Sequence, residues 1–323
     1  MRILLTTTSY QDTPGQHHDA LAASGFDVVR ARGPLPAAEM IKLVNDHSGF
    51  DGFLNGDDEI NPQVIDAALA APTPLKVIAK YGIGLDSIDV KYATAKGLPV
   101  LFTPGVNHTT VAEHAFGLMI AGVKHFWPHM RTVKEGKWKR ITGNELAGKT
   151  LAILGMGRIG KEVAKRAIAF DMKVVGFDVY WDDAFAREHD VKRCPTAQDA
   201  LNQADIVTLH MPATDETKGM INKDTLAQMK DGVVIVNTAR GTLVVEADVA
   251  EACKSGKLKA YCTDVLAHEP IEAPHVFQEI DNILVTPHIG SRTFESVERQ
   301  AMRATTNIVE YLKGGTDYIQ ANK

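Results

Sequence analysis

Three side chains able to act on a polar substrate each follow a short, strand-like apolar run: Arg240 in "VVIVNTARG", Glu269 in "AYCTDVLAHEP" and His288 in "ILVTPHIG". A guanidinium cannot shed its charge and so suits a bound anion, whereas an imidazole titrating near neutrality suits proton transfer in either direction. Arg240 at the mouth of the run Val233–Val236 makes physical sense if that strand is buried but its end lies at a site. In open α/β sheets, ligands bind beyond the carboxyl ends of the strands, so three successive strand ends would offer an Arg, a Glu and a His to one crevice.

Upstream, "KTLAILGMGRIGKEVAKRAIAFDMKVVGFDVYW" spaces Gly155, Gly157 and Gly160 as GxGxxG between a strand and a helix, with Asp178 ending the next strand. Gly155 permits a tight turn, Gly157 lets a pyrophosphate approach N–H groups at the helix start, and Gly160 lets that helix pack close to the sheet. Asp178 is placed to accept hydrogen bonds from an adenosine ribose and would repel a 2′-phosphate, and no Arg or Lys follows among Val179, Tyr180, Trp181, Asp182 and Asp183. NAD is therefore expected over NADP. A near match, "YGIGLDSID" at 81–89, has Ser87 in place of the third glycine and falls late in its unit, so no nucleotide is assigned to it. Its Gly82 and Gly84 instead shape a backbone concavity able to hold a small anion through N–H groups.

Positioning these groups falls to short β-branched runs that alternate with helix-period segments from end to end, the pattern of parallel sheets covered by helices. Strands are expected at Arg2–Thr6, Asp27–Arg30, Gly52–Leu54, Lys76–Ala79 and Val100–Phe102. A second series is expected at Thr150–Leu154, Lys173–Phe177, Ile206–Leu209, Gly232–Val236, Ala260–Asp264 and Ile283–Val285. Together they predict an α/β chain of two doubly wound, Rossmann-like domains. The helix within 103–126 is apolar with little polar face, as expected of one buried between domains or subunits. "SRTFESVERQAMRATTNIVEYLKGG" reads as a last helix ending at Gly314-Gly315, and the short tail after it is expected to return to the first domain and make that domain discontinuous.

Composition narrows the class. The chain has 323 residues, 45% of them hydrophobic, which fits two domains at roughly 100–200 residues each. A net charge of -5 and only short Lys/Arg clusters such as "KEGKWKR" argue against a nucleic-acid surface. Cys194, Cys253 and Cys262 form no CxxC pair, which argues against a zinc site or disulfide framework and fits a reducing cytoplasm. Neither a signal peptide nor an apolar run long enough for a membrane span is expected, and His17-His18 is no convincing metal pair.

The motifs "GMGRIG", "NTARG", "DVLAHEP" and "TPHIG", in this order, resemble those of the D-isomer-specific 2-hydroxyacid dehydrogenases, and the likeness extends to "YGIGLDSID" and "NHTTVAEH". The resemblance implies an NAD-dependent oxidoreductase interconverting a small D-2-hydroxy acid and its 2-oxo acid by hydride transfer. Residues 1–103 with 289–323 would form a flavodoxin-like substrate domain and 104–288 the NAD-binding Rossmann domain. Arg240 would clamp the substrate carboxylate, His288 would be the acid/base, and Glu269 would orient the imidazole and stabilise its charged form. The backbone at Tyr81, Gly82, Ile83 and Gly84 would hold the carboxylate from the other domain. Arg158 and Ile159 would sit at the pyrophosphate, while His210, Met211, Pro212, Thr238 and Ala239 would line the cofactor's path. Asp264 would meet the nicotinamide amide, and Gly290 follows the catalytic His. His210 is expected to have no proton role, and His108 and His114 are read as packing or interface residues. In relatives the helix corresponding to Val111–Val123 packs across a two-fold dimer, with "TVKEGKWKR" and Trp138 as an arm, so a homodimer is expected.

One departure bears on substrate. Phosphoglycerate dehydrogenases usually offer an Arg after the third strand of the substrate domain, where this chain has Asp57, Asp58 and Glu59, and the C-terminal regulatory domains of some relatives are not expected. Lys80 and Arg292 could substitute, with Arg292 meeting a second anionic group on the substrate. The alternatives are phosphoglycerate dehydrogenase proper, an NAD-responsive corepressor-like binding protein, and a formate or phosphite dehydrogenase. Formate enzymes carry Gln in the motif, against which Glu269 speaks.

Overall fold

Buried β-branched runs become parallel strands wherever helices cover both faces of a sheet. In a computed structural model describing residues 1–322, the chain divides into one unit of Met1–Asn107 plus the segment from Arg292 onward, and a second of His108–Ser291. These junctions fall a few residues beyond the expected 103/104 and 288/289.

The first unit holds β1 (Arg2–Leu5), β2 (Asp27–Arg30), β3 (Gly52–Asn55), β4 (Val77–Lys80) and β5 (Val100–Leu101). They form one sheet in the order β2-β1-β3-β4-β5, every pair parallel, which is the flavodoxin-like order. The helix Phe294–Lys313 lays Val297, Ala301, Ala304 and Ile308 on Ile3, Leu5, Leu54 and Val77. It ends at Gly314, whose φ of 78° is the left-handed conformation that glycine adopts without strain. The tail then pairs antiparallel with β5 at Leu101 and Gln320, and Ala321 donates to Val100 O at 2.8 Å.

The second unit holds β6 (Thr150–Leu154), β7 (Lys173–Phe177), β8 (Lys192–Arg193), β9 (Ile206–Leu209), β10 (Val233–Asn237), β11 (Leu258–Thr263) and β12 (Ile283–Val285). Its parallel sheet runs β12-β11-β10-β9-β6-β7-β8. The strand order reverses between β6 and β9, so the crevice of a doubly wound fold opens at the end of β6, where Gly155 follows. β8 was not expected from the sequence: two exposed, charged edge residues carry no apolar signal.

The helix His108–Val123 differs from its expected interface role. Ala112, Ala115, Phe116, Met119 and Val123 are buried within the second unit, against Val163 and Ala167 of the helix Arg158–Ala169 and Val234, Ala260 and Cys262 of the sheet. A Cβ on Gly122 would stand 2.6 Å from Cys262 Sγ, so only glycine lets this helix lie so close to β11. A group of exposed apolar side chains lies instead on the next helix, Phe126–Lys134, and the segment after it: Phe126, Trp127, Met130, Val133 and Trp138. Among the described residues, no helix is long and apolar enough to cross a membrane.

Candidate active site

β10, β11 and β12 are neighbours in the second unit, and the three reactive side chains leave from their carboxyl ends. After β10 the chain turns at Asn237–Arg240, and the fully buried Asn237 holds that turn from inside. Its Oδ1 accepts the N–H of Ala239 at 3.0 Å, and its Nδ2 donates to Arg240 O at 2.9 Å. The half-buried Arg240 also donates from Nη1 to Ala239 O at 2.7 Å. Just beyond, Gly241 is pressed against the loop that follows β11, since a Cβ there would stand 1.9 Å from Leu266 C. No other residue fits at Gly241 without moving backbone. The loop carrying Glu269 and the turn carrying Arg240 are thereby locked together.

The same loop is pinned from two sides. Glu246 Oε1 accepts the N–H of Ala267 at 2.9 Å, while its Oε2 lies 3.4 Å from His275 Nε2. Glu269 Oε1 accepts the N–H of Leu266 at 2.8 Å, and its Oε2 meets His288 Nδ1 at 2.7 Å. A carboxylate accepts only, so Nδ1 bears the proton in this pair, and the neutral ring presents Nε2 as the basic nitrogen. Both side chains stay partly open to solvent, as a group that exchanges protons with a ligand must be.

His288 has a φ of 51°, a left-handed conformation that costs a residue with a Cβ on the order of 1–3 kcal/mol. The buried carboxylate of Asp264 stabilises it. Asp264 Oδ1 accepts from Thr286 Oγ1 at 2.5 Å and from the N–H of Ile289 at 2.9 Å, and Oδ2 accepts the N–H of Gly290 at 2.7 Å. The N–H of His288 donates to Asp264 O at 2.9 Å. Burial by itself would raise this carboxyl, but the donors from His114, Thr286, Ile289 and Gly290 outweigh it and hold Asp264 below the ordinary carboxylate range. Oδ1 is saturated, whereas Oδ2 keeps a lone pair with which to meet an amide.

The glycine turn after β6 fits a dinucleotide. Gly155 has a φ of 99°, and a Cβ on it would stand 2.6 Å from the His210 backbone, so this turn rests directly on His210-Met211. A Cβ on Gly160 would strike Gly155 O, whereas one on Gly157 would meet nothing within 4 Å. Gly157 thus leaves open space at the start of the helix that carries Arg158 and Ile159 in its first turn. Asp178 accepts from Met156 N at 2.6 Å through Oδ2 and from Tyr180 N at 2.8 Å through Oδ1, and each oxygen retains acceptor capacity. Two buried polar atoms beside this path, Thr238 Oγ1 and His210 Nδ1, have no protein partner. Burial holds His210 down at about 3, so its ring stays neutral at any working pH, and Thr208 Oγ1 sits 2.8 Å from its Nε2.

The other predicted residues lie in the first unit. Gly82 has a φ of 132°, but its N–H is donated to Thr103 Oγ1 at 3.0 Å, so it is not available to an anion in the way the concavity of Gly82 and Gly84 suggested. Lys80, expected as a substrate cation, is 2% exposed, and its ammonium binds Gly56 O and Asp57 Oδ1, each at 2.5 Å. Arg292 is accessible, with Nη2 3.7 Å from Asp12 Oδ2, a carboxylate already held by both arms of the Arg32 fork at 2.8 Å. One participant was missed by the sequence reading. His114, on the helix His108–Val123, lies 3.0 Å from Thr286 Oγ1 and 3.2 Å from Asp264 Oδ1. Nothing in its local sequence marks it, because only the tertiary fold brings that helix beside the ends of β11 and β12.

Residues 116–290 match the family model described as D-isomer specific 2-hydroxyacid dehydrogenase, NAD binding domain. The chain is 39% identical over 286 residues to hydroxypyruvate reductase of Thermotoga maritima, covering 85% of this chain and 92% of that one. It is 37% identical over 298 residues to D-3-phosphoglycerate dehydrogenase of Archaeoglobus fulgidus, covering 92% of this chain but 55% of that one. The chain thus spans only about half the length of that longer relative. Among solved structures, the TT0316 protein of Thermus thermophilus superposes with a TM-score of 0.88 at 35% identity, covering 99% of this chain and 100% of that one.

Proposed function

The chain belongs to the D-isomer specific 2-hydroxyacid dehydrogenase family, and on that basis we propose that it interconverts a small D-2-hydroxy acid and its 2-oxo acid with NAD as redox partner. The observation that carries this reading is the His288–Glu269 pair at 2.7 Å, set beside Arg240 at the carboxyl ends of adjacent strands. Gly155, Gly157, Gly160 and the first turn of the helix Arg158–Ala169 would hold the pyrophosphate, Asp178 the ribose, and Oδ2 of Asp264 the nicotinamide amide. When bound, NAD supplies or accepts the hydride, chemistry that no side chain can provide. Arg240 binds the substrate carboxylate and polarises the neighbouring carbonyl, a role for a planar fork of fixed charge. His288 gives a proton from Nε2 to the forming alkoxide in reduction and removes it in oxidation. Glu269 holds Nδ1–H, fixes the tautomer and stabilises the imidazolium. In this reading the exposed side chain of Arg292 meets a second negative group on the substrate, so dianionic acids are favoured. The exposed apolar set Phe126, Trp127, Met130, Val133 and Trp138 supports a homodimer as the working form.

The test is to mix purified protein with NADH or NADPH and a panel of 2-oxo acids from glyoxylate and pyruvate to hydroxypyruvate, oxaloacetate, 3-phosphohydroxypyruvate and sulfopyruvate. Loss of NADH absorbance is expected, abolished in Arg240→Ala and His288→Ala, with Arg292→Ala impaired more on dianionic than on monoanionic acids. NADH binding with no acid turned over would overturn the enzymatic reading. An equal loss on both acid classes would remove Arg292 from it.

A further inference from the structure

Asp264 organises the turn that presents His288, and one side chain from outside that turn reaches it. His114 Nε2 faces Thr286 Oγ1 at 3.0 Å and Asp264 Oδ1 at 3.2 Å. The Thr286 hydroxyl spends its hydrogen on Asp264 Oδ1, so its oxygen is left to accept, and the donor facing it is His114 Nε2–H. The chain of donors therefore runs from His114 to Thr286 to Asp264. The Asp264 carboxylate also accepts the N–H groups of Ile289 and Gly290, and its backbone carbonyl accepts the N–H of His288. Contact is close throughout: a Cβ on Gly290 would stand 2.9 Å from Asp264 Oδ2 and 3.4 Å from His114 Cδ2.

We propose that His114 is a positioning residue for the proposed reaction, acting through Thr286 and Asp264 to fix the left-handed turn at His288 and hence the direction in which its imidazole meets Glu269. The physical need is specific. A carboxylate 2% exposed must have its lone pairs filled or it draws in water or a proton, and either would loosen the N–H groups of Ile289 and Gly290. The turn at His288 is intrinsically unfavourable, so it persists only while those donors stay bound. His114 meets Thr286 and Asp264, and its effect on His288 passes through the backbone of the turn.

The inference rests on His288 being the acid/base, so its test pairs a rate measurement with one that needs no substrate. His114→Leu removes the donor, whereas His114→Gln places an amide N–H near the position of Nε2. In the full chain labelled with ¹⁵N-histidine, the His288 ring resonances and their pH titration should move in the Leu variant and return in the Gln variant. In the NADH-linked assay, kcat should fall about tenfold in Leu, the scale of one hydrogen bond to a charged group, with most of it restored in Gln and the KM for NADH little changed. Equal losses in Leu and Gln, or a His288 titration unmoved in a folded Leu variant, would overturn the proposal. If the wild type reduces no 2-oxo acid, the proposed function fails on its own and the ring titration alone decides this one. Should the Leu variant not fold, Thr286→Val, which breaks the same chain at nearly constant volume, carries the same expectation and the same refutation.

Discussion

Replacing Glu269 by Gln tests the link between the acid/base pair and its geometry more sharply than any deletion. The substitution keeps shape and removes charge. It also leaves one oxygen where two now serve, because Oε2 accepts from His288 Nδ1 and Oε1 from the N–H of Leu266. One of those donors must then face an amide N–H₂. Both His288 and Glu269 are more than a third exposed, so solvent screening discounts the full Coulombic gain of the pair. What remains is the difference between a charge-assisted and a neutral hydrogen bond, about 1–1.5 kcal/mol. At 1.36 kcal/mol per factor of ten, kcat should fall roughly 5- to 15-fold. The sign of the pH effect follows from the charge. Without the carboxylate the imidazolium is less stable, so His288 loses its proton at lower pH. In reduction, which needs His288 protonated, the descending limb should move to lower pH and activity at neutrality should drop. In oxidation, which needs it neutral, the ascending limb should move the same way. Steady-state profiles in both directions provide the assay. Limbs that stay in place while kcat falls would refute the assignment of Glu269 as the partner that tunes His288.

The glycine turn yields a contrasting pair: Gly160→Ala collides with backbone at Gly155 O and should destabilise the fold, lowering Tm, whereas Gly157→Ala meets nothing within 4 Å and should leave Tm unchanged while weakening NADH binding severalfold by fluorescence titration. Asp264 is held below the ordinary carboxylate range, so it contributes stability that is present above the unfolded-state value of about 3.9 and lost as pH falls through its folded value. Asp264→Asn should therefore be less stable than the wild type at pH 7 in urea titrations, and the gap should narrow as the pH drops below about 4.

The parallel strands were legible because burial on both faces leaves an unbroken apolar run, as at Val233–Val236 and Leu151–Leu154. Strand ends were less so: β11 begins at Leu258 rather than Ala260, since pairing with Val233 extends it into a polar position at Lys259. The pairing of Glu269 with His288 could be anticipated because each follows one of the neighbouring strands β11 and β12, with Arg240 after the adjacent β10. Partners fixed by side-chain direction could not be found that way. Sequence suggests Lys80 as a substrate cation, but Gly56 and Asp57 hold its ammonium; it suggests His114 as packing, but Thr286 and Asp264 lie beside its ring. The apolar content of the helix His108–Val123 was read correctly as burial, but its covering surface is the second unit's own sheet and helix.

The discontinuity of the first unit sets an order of events during synthesis. Its sheet strands are all made by residue 101, yet the helix that covers Ile3, Leu5, Leu54 and Val77, and the tail that pairs with β5, leave the ribosome only after the whole second unit. At about 5–20 residues per second, some two hundred further residues take on the order of ten to forty seconds. The second unit, contiguous from His108 to Ser291, can close its core within that interval. The nascent first unit must meanwhile wait with an apolar face uncovered. Translation speed and chaperone supply would then act on this chain chiefly through the unit that is begun before the second and completed after it.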